Sequence, residues 1–298
     1  MPGSARIRVP ASTANLGPGF DVLSLALNLY LEVEARESPG ITITWKGTGA
    51  NDVALDHHNL LVRAAQEPFA GWTRPLKGLA LRVRNQIPIG RGLGSSAAAL
   101  VGGIAIGARL RGLRMTRQRI IELALPLEGH ADNLAAALYG GFNIAAVENG
   151  GVRAHRLDWP PAWRAVVFIP DHPSPTHHAR RLVPSHPALA DAVFNLGRVA
   201  EWVLAVQQKD RSLLRSSMDD RLHQPGRIAA YPYLDDMIAA AEQAGALGAA
   251  LSGAGGSVIA IADRALKKIA EAMPTAAAAH GLAGSTMTLS VAARGPRL

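Results

Sequence analysis

The run Pro88-Ile-Gly-Arg-Gly-Leu-Gly-Ser-Ser-Ala-Ala-Ala99 sets three glycines at alternate positions just ahead of two serines. Glycine at such spacing lets the backbone approach a ligand closely and take up positive φ. The residues before the run read as a strand and those after it as a helix, so the unpaired N–H groups of the helix start face the loop with the positive end of the dipole. That arrangement is a phosphate cradle. Ser95 and Ser96 can cap the helix, and either hydroxyl can reach a metal ion. A Walker loop would need a lysine, and none is present. Gly92–Ala97 satisfies the loose dinucleotide pattern, but arginines stand where a ribose-binding acid belongs about 20 positions on. Without a ligand, the same run would be a tightly packed strand–helix turn.

Three further clusters carry reactive groups. Glu122-Leu-Ala-Leu-Pro-Leu-Glu-Gly-His-Ala-Asp-Asn133 gathers carboxylates, a histidine and an amide. Its spacing does not match a two-histidine zinc motif, and Asp132 or Asn133 could simply cap the next helix. Ala14-Asn-Leu-Gly-Pro-Gly-Phe-Asp21 is a turn bracketed by an amide and a carboxylate, and Leu251-Ser-Gly-Ala-Gly-Gly-Ser257 is an anion-ready glycine loop.

These clusters need elements to hold them. Leu29–Ala35, Ile41–Trp45 and Leu79–Arg84 alternate as strands. Ser95–Leu110, Thr116–Leu125 (capped by Thr116) and Asp132–Leu138 read as helices. Asn149-Gly150-Gly151 is a turn signal inside a Gly/Pro-rich stretch, which puts a boundary between an N-terminal domain over residues 1–150 and a C-terminal domain over residues 160–298. The second half supplies strands at Ala165–Ile169, Leu247–Ala250, Val258–Ala262 and Thr286–Ala292, with helices near Ala188–Gln208 and Leu266–Met273. The mixed order predicts an α+β fold in both halves.

Composition narrows the classes. The chain has 298 residues, 48% apolar and 18% charged, and no cysteine, which removes disulfides and thiolate chemistry and suits a reducing, cytoplasmic setting. Its first twenty residues hold no signal-like apolar run, and the uncharged stretches Gln243–Ala262 and Ala272–Ala293 are too rich in glycine or broken by Pro274 to span a membrane. The net charge of +8 sits in one segment. Between Glu67 and Glu122 there are ten basic residues and no acid, and without them 21 basic residues face 23 acidic ones. An RNA-binding module would interleave aromatics with these arginines, and between Arg74 and Arg119 there are none.

Taken in order, Pro10–Asp21, Pro88–Ala99, Glu128–Asn133 and Leu251–Ser257 resemble the GHMP family of small-molecule kinases over nearly the whole chain. Thr176-His-His-Ala-Arg180-Arg-Leu-Val-Pro184 and Leu222-His-Gln-Pro-Gly-Arg227 are similar to segments of those members that phosphorylate L-homoserine. The last loop lacks a usual proline before Ser257, and Gly226 replaces a commoner bulky residue. The resemblance implies a GHMP kinase fold: an N-terminal ribosomal-protein-S5-like domain with a left-handed βαβ crossover, then a ferredoxin-like domain. It implies ATP and Mg²⁺, and transfer of the γ-phosphoryl group to the homoserine side-chain hydroxyl in threonine biosynthesis. Pro88, Ile89, Gly90, Arg91, Gly92, Leu93, Gly94, Ser95, Ser96, Ala97 and Ala98 wrap the triphosphate, with Ser257 beyond them and Asn59 near the adenine. Ser96 and Glu122 match the magnesium ligands, with Glu128 as the alternative carboxylate. Arg180 and Arg227 hold the substrate carboxylate, and Asp21 its ammonium or hydroxyl. Asn15, His130, Asn133 and Thr176 complete the pocket. Homodimers are common in the family; another alcohol as substrate is the rival reading, a nicotinamide dehydrogenase a poor third, and neither nucleic acid nor membrane is implied.

Some members place an aspartate as base where this chain has Asn133, which cannot accept a proton. Catalysis is then expected from Asn133, Arg180, Ser96 and Glu122 by positioning and charge neutralisation, which suits a loose phosphoryl-transfer transition state. Asn133→Ala should weaken homoserine use in a steady-state assay while nucleotide binding persists; unchanged turnover and homoserine affinity would contradict the assignment.

Overall fold

Two long antiparallel strands, β1 (Ser4–Asn15) and β2 (Gly19–Glu37), open the chain. The computed structural model describes residues 4–71, 76–173 and 176–298, without the side chains of 176–178. On β2, Leu27, Leu29, Leu31 and Val33 are buried while Glu32 and Glu34 face Arg8 and Arg6 across the strand pair at 3.2 and 2.5 Å. These ion pairs are exposed and fix register more than stability. β3 (Thr42–Gly47) runs parallel to β4 (Leu79–Asn85), with α1 (Leu60–Gln66) between them in sequence.

Helix α2 (Ser95–Leu110) spans the residues expected, because an alanine-rich, proline-free run favours helix. A Cβ on its Gly107 would stand 2.0 Å from the Ala65 carbonyl oxygen, so glycine is what lets α1 pack against it. Helices α3 (Arg117–Glu128) and α4 (Asp132–Tyr139) follow, α3 capped by the Thr116 hydroxyl as expected. β5 (Phe142–Glu148) and β6 (Gly151–Leu157) complete a six-stranded sheet of order β3-β4-β2-β5-β6, with β1 on β2. The Asn149-Gly150 turn is therefore a hairpin inside this sheet. The chain leaves this sheet after Leu157.

The second sheet has the order β10-β7-β9-β8, built from β7 (Arg164–Pro170), β8 (Gly248–Leu251), β9 (Val258–Ala262) and β10 (Gly284–Leu289). In sequence order that is 4-1-3-2, the ferredoxin-like arrangement. Between β7 and β8 lie α5 (Thr176–Arg181), α6 (Leu189–Gln208), α7 (Leu214–Ser217), α8 (Gln224–Arg227) and α9 (Leu234–Gln243), and α10 (Leu266–Ala279) precedes β10. The expected last strand ends early, at Leu289. Residues beyond it return to the first domain, where Gly141 N donates to Ala292 O at 2.8 Å. The two long uncharged stretches are a β8–β9 hairpin and the α10–β10 unit, and among the described residues no helix is long and apolar enough to cross a membrane.

The basic segment is spent on structure. Arg109 donates to the carbonyls of Arg6 and Arg297, Arg111 pairs with Glu37 at 2.8 Å, and Arg117 donates to Leu138 O at 3.1 Å. Arg82 and Arg84 stand across from Glu34 and Glu32, and Arg74 lies outside the described residues.

Trp202 of α6 joins the halves. It is fully buried, stacks on Phe142 with ring centroids 5.5 Å apart, and donates from Nε1 to Leu16 O at 2.9 Å. Trp202→Ala should destabilise by ~3–5 kcal/mol, the range for losing a large buried aromatic. Urea unfolding measures this, and a loss below ~1 kcal/mol would show that α6 does not clamp the first domain.

Candidate active site

Four loops converge at the N-terminus of α2. The Gly90–Gly94 turn has φ of 69°, 74° and 66° at its three glycines, all in the left-handed region. Close contact requires two of them: a Cβ on Gly94 would sit 1.9 Å from the Ser12 hydroxyl oxygen, and one on Gly92 would sit 2.2 Å from Ser252 O. Ser12 N donates to Leu93 O at 3.2 Å, and its hydroxyl donates to Asn133 Oδ1 at 2.8 Å. The Ser252 hydroxyl donates to Gly92 O at 2.7 Å and lies 2.8 Å from the Thr13 hydroxyl, which can donate back. Asn15, at φ 70°, bridges two loops: Nδ2 donates to Gly253 O at 2.9 Å, and Oδ1 accepts from Asp21 N at 3.1 Å.

These loops border a cavity of about 310 Å³. One wall is Trp45, Val53, Ala54 and Leu60, and the other is Ile89–Ser96 with Glu128, His130 and Asn133. Asn59 lines it too, and its side chain caps α1, accepting from Leu61 N at 3.0 Å and donating to Ala54 O at 2.6 Å. Pro88 is buried behind the turn, while Ala97 and Ala98 face the core. Ser257 is buried with no partner for its hydroxyl among the described residues, and it does not line the cavity. The Arg91 guanidinium is committed to carbonyls: Pro170 O and Ile89 O at 2.7 Å each, and Asp171 O. It straps the turn to the end of β7 and still lines the cavity.

Helix α3 sets its two carboxylates in different surroundings. Glu122 points away, held by Gln118 at 3.0 Å and Arg119 at 3.4 Å, so it is not brought to Ser96 as expected. Glu128, the last residue of α3, accepts the Ser96 hydroxyl at 2.8 Å with its side chain only 6% exposed. Burial raises its pKa, against the opposing pull of His130 and the Ser96 hydrogen bond. His130 Nδ1 lies 2.7 Å from Asp132 Oδ1. Burial works against its protonation, but the Asp132 hydrogen bond and the charges of Asp132, Glu128 and Asp21 outweigh it and raise its pKa. Asp132, read in sequence only as a cap, is the buried carboxylate that also takes Asn133 N at 2.6 Å.

Two residues expected to hold the substrate pair with one another. Arg180 donates to both oxygens of Asp21, at 3.0 and 2.6 Å, with the two side chains 38% and 33% exposed. Arg227 is 1% exposed and donates from Nε to Ala179 O at 3.1 Å and from Nη1 to Gly253 O at 2.9 Å. The two guanidiniums lie 5.5 and 5.6 Å from the Phe20 ring. The Thr176 side chain falls outside the described residues. Sequence reasoning missed His223, which is buried with Nε2 2.7 Å from Gly17 O and Nδ1 3.1 Å from Arg227 Nη1. Burial pushes its pKa down to about 4, against the nearby Asp220.

A helix N-terminus opened by left-handed glycines beside a hydroxyl–carboxylate pair marks a small-molecule phosphotransferase. The family comparison agrees: residues 59–141 match the GHMP kinases N terminal domain, and residues 203–279 the GHMP kinases C terminal domain. The homoserine kinase of Moorella thermoacetica is 43% identical over 93% of both chains. The crystal structure of homoserine kinase from Cytophaga hutchinsonii superposes with a TM-score of 0.87 at 31% identity, covering 99% of this chain and 96% of that one. An L. major mevalonate kinase aligns at TM-score 0.69 and 18% identity over 97% of each chain, which shows a shared fold. The chain belongs to the GHMP kinase family.

The pKa of His223 carries a stability consequence. The unfolded ring titrates near its ordinary 6.5 and the folded one at about 4, so the unfolded state binds a proton that the native state refuses. The contribution is present above pH 6.5 and is lost as pH falls toward 4. In His223→Gln the acid-side loss of unfolding free energy should be shallower than in wild type over that window. Parallel curves from urea unfolding would contradict the buried, neutral ring.

Proposed function

We infer that the protein transfers the γ-phosphoryl group of ATP to the side-chain hydroxyl of L-homoserine, giving O-phospho-L-homoserine for threonine biosynthesis. One observation carries this reading above others. Asp21 and Arg180 form a bidentate pair, a carboxylate and a guanidinium matched to an ammonium and a carboxylate on one small molecule. The names of the relatives point the same way. A homodimer in the cytoplasm is the form that family analogy supplies, with no part for nucleic acid or membrane.

The turn and the first-turn amides of α2 bind the phosphates, since backbone donors at a helix start suit oxyanions. The residues fit a divalent cation: Ser96 and Glu128 are hard oxygen donors 2.8 Å apart, and the buried Glu128 carboxylate gains from a positive neighbour. Mg²⁺ held there would offset charge on the phosphate oxygens. Asn133 orients the attacking hydroxyl, its own Oδ1 fixed by Ser12. The homoserine ammonium takes Asp21 and its carboxylate takes Arg180, with Arg227 adding positive charge from beneath Phe20. Opening the half-exposed Asp21–Arg180 pair costs about 0–1 kcal/mol and is offset by two equivalent pairs with the zwitterion.

A coupled ADP-release assay tests this with L-homoserine, 4-hydroxybutanoate, 3-aminopropan-1-ol and mevalonate. Each analogue lacking one charge should lose about 10- to 100-fold in kcat/KM, because it strands Asp21 or Arg180. Mevalonate turnover faster than that of homoserine would overturn the reading. In the same assay Glu128→Gln should lose about 100-fold or more in kcat, whereas Glu122→Gln should stay within about twofold. The reverse order would return the metal to Glu122.

A further inference from the structure

Arg227 is a buried cation, and its direction depends on a residue of its own short helix. His223 stands at the start of α8, one turn before it, with no exposed surface. The ring touches a carbonyl oxygen with Nε2, at 2.7 Å from Gly17 O, and a guanidinium nitrogen with Nδ1, at 3.1 Å from Arg227 Nη1. A carbonyl only accepts and a guanidinium only donates. One form of imidazole meets both demands: the neutral ring with its proton on Nε2. Burial independently favours the uncharged ring.

The ring is itself held from the backbone side. The buried Asp220 carboxylate accepts from Leu222 N at 2.8 Å, His223 N at 3.1 Å and Gln224 N at 2.7 Å. It also accepts from Asn195 Nδ2 at 2.7 Å, and Asn195 Nδ2 in turn reaches Pro18 O at 2.9 Å. The same network therefore grips the Gly17–Pro18 turn from two sides. Phe20, three residues past Gly17, lies 5.6 Å from the His223 ring, and Asp21 follows it. An apolar side chain at 223 would leave Gly17 O and one Arg227 N–H unpaired in a buried place, where each unmet group is costly.

We propose that His223 is a positioning residue for substrate recognition: as the Nε2–H tautomer it ties Arg227 to the Gly17–Asp21 turn and keeps the carboxylate-binding and ammonium-binding groups in register. This rests on the reading of Arg227 and Asp21 as contacts to the two ends of the amino acid. Only one bond of Arg227 leads toward the nucleotide half, from Nη1 to Gly253 O at 2.9 Å, so the effect should fall chiefly on the amino-acid substrate.

The test compares wild type, His223→Phe and His223→Gln in steady-state assays with ATP and L-homoserine. The phenylalanine keeps a ring against Phe20 but neither donates nor accepts; the glutamine can do both. His223→Phe should raise the homoserine KM about tenfold or more with the ATP KM within about twofold, and His223→Gln should recover at least part of the loss. Equal damage to both KM values, or no change in either, overturns the positioning role. Nitrogen NMR of the wild-type imidazole at neutral pH gives a second readout that survives a misfolded variant. A protonated Nε2 with a bare Nδ1 is expected, and a protonated Nδ1 refutes the assignment. Should wild type fail to phosphorylate homoserine, the reaction reading falls, and the tautomer still decides the claim about His223.

Discussion

The Ser12 hydroxyl oxygen stands 1.9 Å from where a Cβ on Gly94 would be, and that approach draws three separate parts of the chain together. The same hydroxyl reaches Asn133 on α4, and the backbone N–H of Ser12 reaches Leu93 on the turn. On the other side Ser252 performs the matching task, touching Gly92 and Thr13. Small side chains and glycines are thus what allow the strand β1, the turn and the second domain's hairpin to share one line of contacts. The amides at the start of α2 are left facing the cavity because the surrounding loops satisfy one another.

Charge is handled differently in the two halves of the site. Around the phosphate turn Arg91 is tied to carbonyls, and its charge stands beside the backbone dipoles at the start of α2. Around Phe20 full charges are used, and each has a partner: Asp21 with Arg180, and Arg227 with carbonyls and His223. Buried charges without partners are costly, and pairing within the protein avoids that penalty.

Much of this was legible in the residues. The glycine turn, the bounds of α2 and the Thr116 cap follow from local chemistry, which acts within a few residues. The strand β1 was harder, because Pro10 and a polar run argue against a strand; the structure places a register shift at Pro10–Ala11. β5 and β6 were hidden by a turn signal that also reads as a boundary. The orientation of α3 sets Glu128 rather than Glu122 beside Ser96, and spacing alone gave either. The carbonyl partners of Arg91, the Asp21–Arg180 pair and the His223–Arg227 contact join residues distant in sequence or depend on burial, so no local pattern announces them.

The central claim is that a phosphate turn and a zwitterion-matched pair act on one small alcohol. Phosphorus NMR of a reaction containing the protein, ATP, Mg²⁺ and L-homoserine tests it most directly. A phosphomonoester resonance, split by an adjacent methylene, should grow in step with ADP and need both homoserine and protein. ATP loss yielding only inorganic phosphate, or no ATP loss at all, would contradict it.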